Sequence, residues 1–105
     1  MSKHTKTEVA IVAEQMLNGE LELLEGCRKL VQLHSRSGAP DDDAIITVIG
    51  IESETDDLPA GRDRERWAPD VLAEKDRQRD EYMARVRDPL MAALRSLAER
   101  RVNRS

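Results

Sequence analysis

The first periodic stretch of the chain runs from residue 7 to residue 34. Apolar side chains recur at Val9 to Ala13, Met16/Leu17, Leu21, Leu23/Leu24, Cys27 and Leu30/Val31, one face of a helix. Thr5 precedes Glu8 by three residues, a capping-box spacing that predicts a helix start there. Asn18-Gly19 interrupts the run and predicts a kink or a turn between two helices. In an unbroken helix Gly19 and Gly26, seven apart, would lie near one face and admit another backbone closely. Residues 35–43 then read as a loop ending in a helix start, with three acids after Pro40.

Residues 44–51 (Ala-Ile-Ile-Thr-Val-Ile-Gly-Ile) are β-branched and contiguous, so local propensity favours a strand. A strand needs a partner, and no other segment reads as one. The acidic lead-in points instead to a short buried helix, with an isolated strand as the alternative. Residues 52–68 are polar, and Leu58-Pro59-Ala60-Gly61 should break regular structure. Pro69-Asp70 opens a long helix to residue 87 whose middle, Glu74 to Glu81, has no apolar residue. Asp88-Pro89 reads as a fresh N-cap and first helical position. A further helix over 89–101 would carry Leu90, Met91, Ala93/Leu94, Leu97 and Ala98 on one face.

The expected fold is therefore mainly α, three or four antiparallel helices in one domain over residues 1–105. It comprises a helix or kinked helix pair at 7–34, a loop-rich acidic segment at 35–68, and C-terminal helices at 69–101.

Composition sharpens this picture. The chain has no Phe, one Trp and one Tyr, so Leu, Ile, Val, Met and Ala must build the core. A chain of 105 residues buries only roughly 60–68% of its unfolded surface. That thin core favours a homodimer, which would bury more apolar area. Residues 1–60 hold 5 Lys/Arg against 12 Asp/Glu, a balance of −7; residues 61–105 hold 12 against 9, a balance of +3. The C-terminal excess is too small and too mixed with acids for a nucleic-acid footprint. No apolar run reaches the ~20 residues of a membrane span, and Met-Ser-Lys-His-Thr-Lys lacks an apolar signal core, so a cytoplasmic protein is expected. Cys27 stands alone among leucines and valines and reads as a buried structural thiol. A nucleophilic Cys27 would want a nearby base, and His34 lies about two helical turns away.

The densest candidate chemistry is acidic. From Ser37 to Gly61 there are seven acids and no Lys or Arg, with Glu52, Glu54, Asp56 and Asp57 inside six residues. Arg28, Arg62, Arg64, Arg66 and Arg79 are available to pair with them. Three readings follow: an arginine–carboxylate network that pins the loop, a partner-binding surface, or a cation site or general acid–base pair. Glu52, Glu54 and Asp56 are the weak candidates for metal ligands, and no catalytic residue is assigned. The segment lacks the calcium-loop pattern and has no histidine, so no cofactor is expected. Asp76 and Arg79, three apart, either stand in solvent or reach toward the Glu54–Asp56 loop. Trp67 is expected as a core plug, or, if exposed, as a binding hot spot.

Leu23-Leu24-Glu25-Gly26-Cys27-Arg28-x-Leu30, Ile49-Gly50-Ile51-x-Ser53-Glu54-Thr55-Asp56-x-Leu58-Pro59-x-Gly61, Arg66-Trp67-x-Pro69 and Leu72-x-x-x-Asp76 resemble a family of small uncharacterised bacterial proteins without an established activity. The resemblance covers roughly residues 17–80. It implies a bacterial, cytosolic origin and one connected constellation of Arg28, Ser53, Glu54, Asp56, Trp67 and Asp76. This chain carries Asp57 where the resemblance would place a histidine, which removes any metal or catalytic role of that histidine. Together with Arg62 and Arg66, these residues form the expected binding or structural cluster. The function expected is that of a small non-enzymatic interaction or regulatory protein, an immunity-type binder among the possibilities, with an unidentified protein partner. The alternative is a cation-dependent enzyme or sensor using the 52–57 carboxylates.

Overall fold

The computed structural model describes residues 3–58 and 61–102, with side chains over 8–58 and 64–99. Four α-helices carry the fold: α1 (Lys3–Leu17), α2 (Leu23–Ser37), α3 (Asp43–Glu54) and α4 (Pro69–Val102), with a 3₁₀ helix at Gly61–Arg66. The protein is mainly α, and no strand occurs among the described residues.

The interruption at Asn18-Gly19 is a true turn. Gly19 adopts φ +76°, where a side chain would be strained. Its amide donates to the Met16 carbonyl (3.3 Å) and the Glu20 amide donates to the Gln15 carbonyl (2.8 Å). That reciprocal pair closes the end of α1. α1 already runs at Lys3, so Thr5 lies within the helix instead of capping it. The α2 start is capped by Glu22, whose carboxylate accepts from the Leu24 amide at 2.7 Å and the Glu25 amide at 3.3 Å. Gly38, at φ +70°, ends α2.

The β-branched segment is helical. Asp42 caps it by accepting from the Ile45 amide at 2.9 Å. Ala44, Ile45, Val48 and Ile51 then fall on one buried face. Burial at helical spacing outweighs a strand propensity that has no partner strand to use. The expected loop over 35–68 is thereby cut down to short connections, since α3 and the 3₁₀ helix occupy most of it.

The expected break at Asp88-Pro89 is absent, and α4 passes through Pro89. Leu90, Ala93, Leu94 and Leu97 are buried, and Tyr82, Met83 and Val86 are half-buried against the same core. This stripe keeps helical register across the proline. Burying it as one surface outweighs the ~3 kcal/mol a helix-interior proline costs. Pro89 and Arg85 are both exposed, so the carbonyl that loses its amide partner faces water.

α4 is the spine. Its 34 residues span roughly 51 Å at 1.5 Å per residue, matching the 50 Å long axis of a body 25 by 23 Å across. α1 and α3 pack on α4, and α2 packs on α1 and α3. No residue of 69–81 enters the core, so the first half of α4 extends as an arm.

Gly26 sets the spacing of α1 and α2. A Cβ there would stand 2.5 Å from Met16 Cγ and 2.7 Å from Met16 Cε, and closer still to the sulfur. Met16 is itself buried. Gly26→Ala should therefore lower stability by about 1 kcal/mol, overpacking of ~1–3 kcal/mol exceeding the gain in helix propensity. Urea unfolding checks this. Met16→Ala in the same chain should relieve the clash, so that the double variant loses less than the two single losses together. A Gly26→Ala protein as stable as its parent would refute the spacing role.

Candidate functional site

Between α3 and α4, residues 55–58 lie against α2 and residues 61–68 against the arm; together they form the strap. It begins at Thr55, the one buried polar residue among those described. The Thr55 hydroxyl donates to the Ile51 carbonyl at 2.7 Å and its amide donates to the same carbonyl at 3.1 Å, ending α3. Arg28 of α2 reaches this corner. One guanidinium nitrogen donates to the Thr55 carbonyl (3.0 Å) and the Leu58 carbonyl (2.5 Å). Leu58 drops beneath it and packs with Leu24 in a small cluster separate from the main core.

Further along, the strap grips the arm through charge. Arg64 of the 3₁₀ helix binds Asp76 of α4 in a two-pronged pair at 2.6 and 2.8 Å. The hydrogen bonds from Arg64 hold the Asp76 carboxyl below its ordinary 3.8. Arg79 adds a second cation 3.4 Å from Asp76. Lys75 lies 3.7 Å from Asp57 and sits over the Trp67 ring, 5.8 Å from its centre. Glu54, at the end of α3, accepts a short hydrogen bond from the Tyr82 hydroxyl. Burial first, then that bond to Glu54, pushes the Tyr82 phenol up to about 12.

The sequence-derived cluster is thus only partly assembled. Arg28, Trp67 and Asp76 take part in holding the strap, while Glu54 ties the end of α3 to α4 through Tyr82. Arg28, however, serves two carbonyls, and Asp76 answers Arg64 instead of the Glu54–Asp56 loop. Ser53, Asp56 and Arg66 stand exposed, and the Arg62 side chain falls outside the described residues. Trp67 is half-buried under Lys75 and is no core plug, for it is not among the side chains packed on the core. Thr55, Leu58, Lys75 and Tyr82 were missed. Their signal is weak in a sequence, because each matters through a backbone carbonyl, a small satellite contact or a partner far along the chain.

The weak metal candidates do not converge. Glu52 and Glu54, two apart in a helix, leave the axis about 200° from each other. Glu54 is engaged by Tyr82. Among the described residues no three His, Cys, Asp or Glu side chains are placed to hold a metal ion. Burial, with Glu22 and Glu52 adding to it, pushes the Cys27 thiol up to about 12, so it stays protonated and a poor nucleophile. An open depression of about 490 Å³ on α2 is lined by Val31, Gln32, Ser35 and Arg36, none of which belongs to the cluster.

The chain matches no family model, no curated protein and no solved structure.

Two outcomes follow from this geometry. Arg28→Met keeps the aliphatic stem and removes the guanidinium donor from the Thr55 and Leu58 carbonyls, leaving the Thr55 carbonyl with the Leu58 amide alone. It should cost about 1–3 kcal/mol in urea unfolding and speed amide exchange in the strap before that of α4. Strap amides that exchange no faster in Arg28→Met than in the parent chain would refute the clamp. The Arg64–Asp76 pair should make the strap acid-sensitive. Because the folded Asp76 value is lowered, its contribution is complete above the ordinary 3.8 and is lost as pH falls through the lower folded value. Asp76→Asn should flatten that acid limb of the stability curve. Both side chains are about a third exposed, so the effect is screened and small.

Proposed function

We propose that this chain is a small interaction protein of a regulatory or immunity type, and that its recognition surface is the strap together with the arm beneath it. The observation that carries this reading is how the charges are used. Asp76 is taken by Arg64 and Arg79, Asp57 by Lys75, and Glu54 by Tyr82. Groups engaged in separate contacts shape a surface; they do not converge on a shared point where a substrate could react.

The surface so shaped is firm and mixed. Arg66, Asp56 and Glu65 stand out from it, and Val71 is 39% exposed beside them in sequence on the arm. Exposed charges together with an exposed apolar residue are the materials of a partner-binding patch. No described helix is long and apolar enough to cross a membrane. With the motif resemblance to small bacterial proteins, this supports a site of action in the bacterial cytoplasm.

The test is the mass of the protein purified gently from its own host, measured by light scattering. A mass that demands a second polypeptide in fixed proportion is expected. Val71→Glu and Arg66→Glu should each remove that polypeptide while leaving helix content unchanged. A mass equal to a whole number of identical chains, or a second polypeptide held equally well by both variants, would overturn the proposal.

A further inference from the structure

Asn18-Gly19, which shapes the turn between α1 and α2, is also a chemically labile step. In such a step the Gly amide nitrogen can attack the Asn side-chain carbonyl, since no Cβ on the second residue hinders its approach. Asn18 lies just past the last helical residue of α1 and is exposed, as is Gly19. Nothing stands within 4 Å of where a Gly19 Cβ would be. The Gly19 amide donates to the Met16 carbonyl at 3.3 Å, the longest of the bonds that close this end of α1. The attacking nitrogen is therefore open on one side and weakly held on the other.

We propose that Asn18 is a site of spontaneous modification, and that the modified turn loosens the seat of the strap on α2. The reaction needs only water as co-reactant. Hydroxide takes the Gly19 amide proton, and the nitrogen bonds to Cγ of Asn18. The Cγ–Nδ2 bond breaks, and the nitrogen leaves as ammonia with a proton from water, which restores the hydroxide. Water then opens the five-membered ring at either carbonyl. Opening at Cγ gives aspartate. Opening at the main-chain carbonyl gives isoaspartate, whose backbone runs through the side chain and is a methylene longer.

The consequences come from this fold. Both products place a negative charge at the C-terminal end of α1, where the helix dipole is already negative. No basic residue stands in the last turn there, and Glu20 and Glu22 are exposed nearby in sequence. Isoaspartate also lengthens the chain between the Gln15 carbonyl and the Glu20 and Leu21 amides that donate to it at 2.8 and 3.2 Å. Leu17 and Leu21, on either side of the turn, are half-buried against the core, so the extra length must shift one of them. Three residues on, Leu24 is fully buried and packs with Leu58 of the strap. A shift at the head of α2 reaches the strap through that contact. None of this requires the strap to bind a partner.

Peptide mass spectrometry on the purified full chain, incubated at mildly alkaline pH, tests it. The Asn18 peptide should become heavier by about one mass unit as its amide turns into an acid. Asn103, followed by Arg104, is the internal control and should change far more slowly. The native chain should react less than about tenfold more slowly than the same chain unfolded in guanidinium, because opening a surface turn costs little. Asn18→Gln should abolish the gain, since its longer side chain would have to close a six-membered ring. Isoaspartyl chains separated by ion exchange should unfold at lower urea than the parent and exchange their strap amides faster. Asn18→Asp, which adds the charge without the methylene, should fall between the two. An Asn18 peptide as inert as the Asn103 peptide would overturn the proposal. So would a native rate more than about tenfold below the unfolded one, or isoaspartyl chains whose strap amides exchange at the parent rate.

Discussion

One stripe of apolar side chains on α4, from Tyr82 to Leu97, is the surface on which the other elements are laid. α1 and α3 both pack against α4, and α2 reaches its place by packing on those two. With no Phe and one half-buried Trp, the core is assembled from aliphatic side chains and Ala. Small side chains fill space only when helices come close. Gly26, lying directly against Met16, is where that demand is most acute. The stripe also explains why α4 tolerates Pro89. The residues that need continuity lie on the inner side, and the residue whose hydrogen bond is lost lies on the outer one.

Because α4 is longer than the core it serves, its first half is free to do something else. The strap uses it. Arg28 ties the strap to α2 through the Thr55 and Leu58 carbonyls, and Arg64 ties it to the arm through Asp76. The two ties differ in kind. Arg28 serves carbonyls at a corner that also holds the buried Thr55, so its removal takes a charged donor from both of them. Arg64 and Asp76 meet near solvent, where salt and water screen them. The strap is therefore anchored firmly at α2 and held more loosely, in a pH-dependent way, at the arm.

Helices whose apolar residues recur at their own period were legible from the residues, as was an interruption at Asn18-Gly19, though not whether it was a kink or a turn. The segment 44–51 was harder, because β-branched residues argue locally for a strand; the Asp42 cap and the buried face tip it to helix. Pro89 misled for the opposite reason. A proline's cost is local and visible, whereas the benefit of one continuous stripe depends on what α1 and α3 supply from elsewhere. The site shows the same divide. The abundance of acids and arginines could be counted, but not which would meet. Arg64 finds Asp76 across twelve residues and Tyr82 finds Glu54 across twenty-eight, and neither pairing has a local spacing that announces it.

The strap and α3 meet at Thr55. Its side chain and amide close the end of α3, and its carbonyl is the acceptor for Arg28. A contact that restrains the last turn of α3 thereby steadies the corner from which the strap departs. Conversely, a partner that holds the strap against the arm restrains the last turn of α3. Coupling of this sort is reciprocal by thermodynamic necessity. Its size is bounded by how much either event favours the closed corner over the open one. Arg28 sets that bound, since it is the group that binds the closed corner through two carbonyls at once.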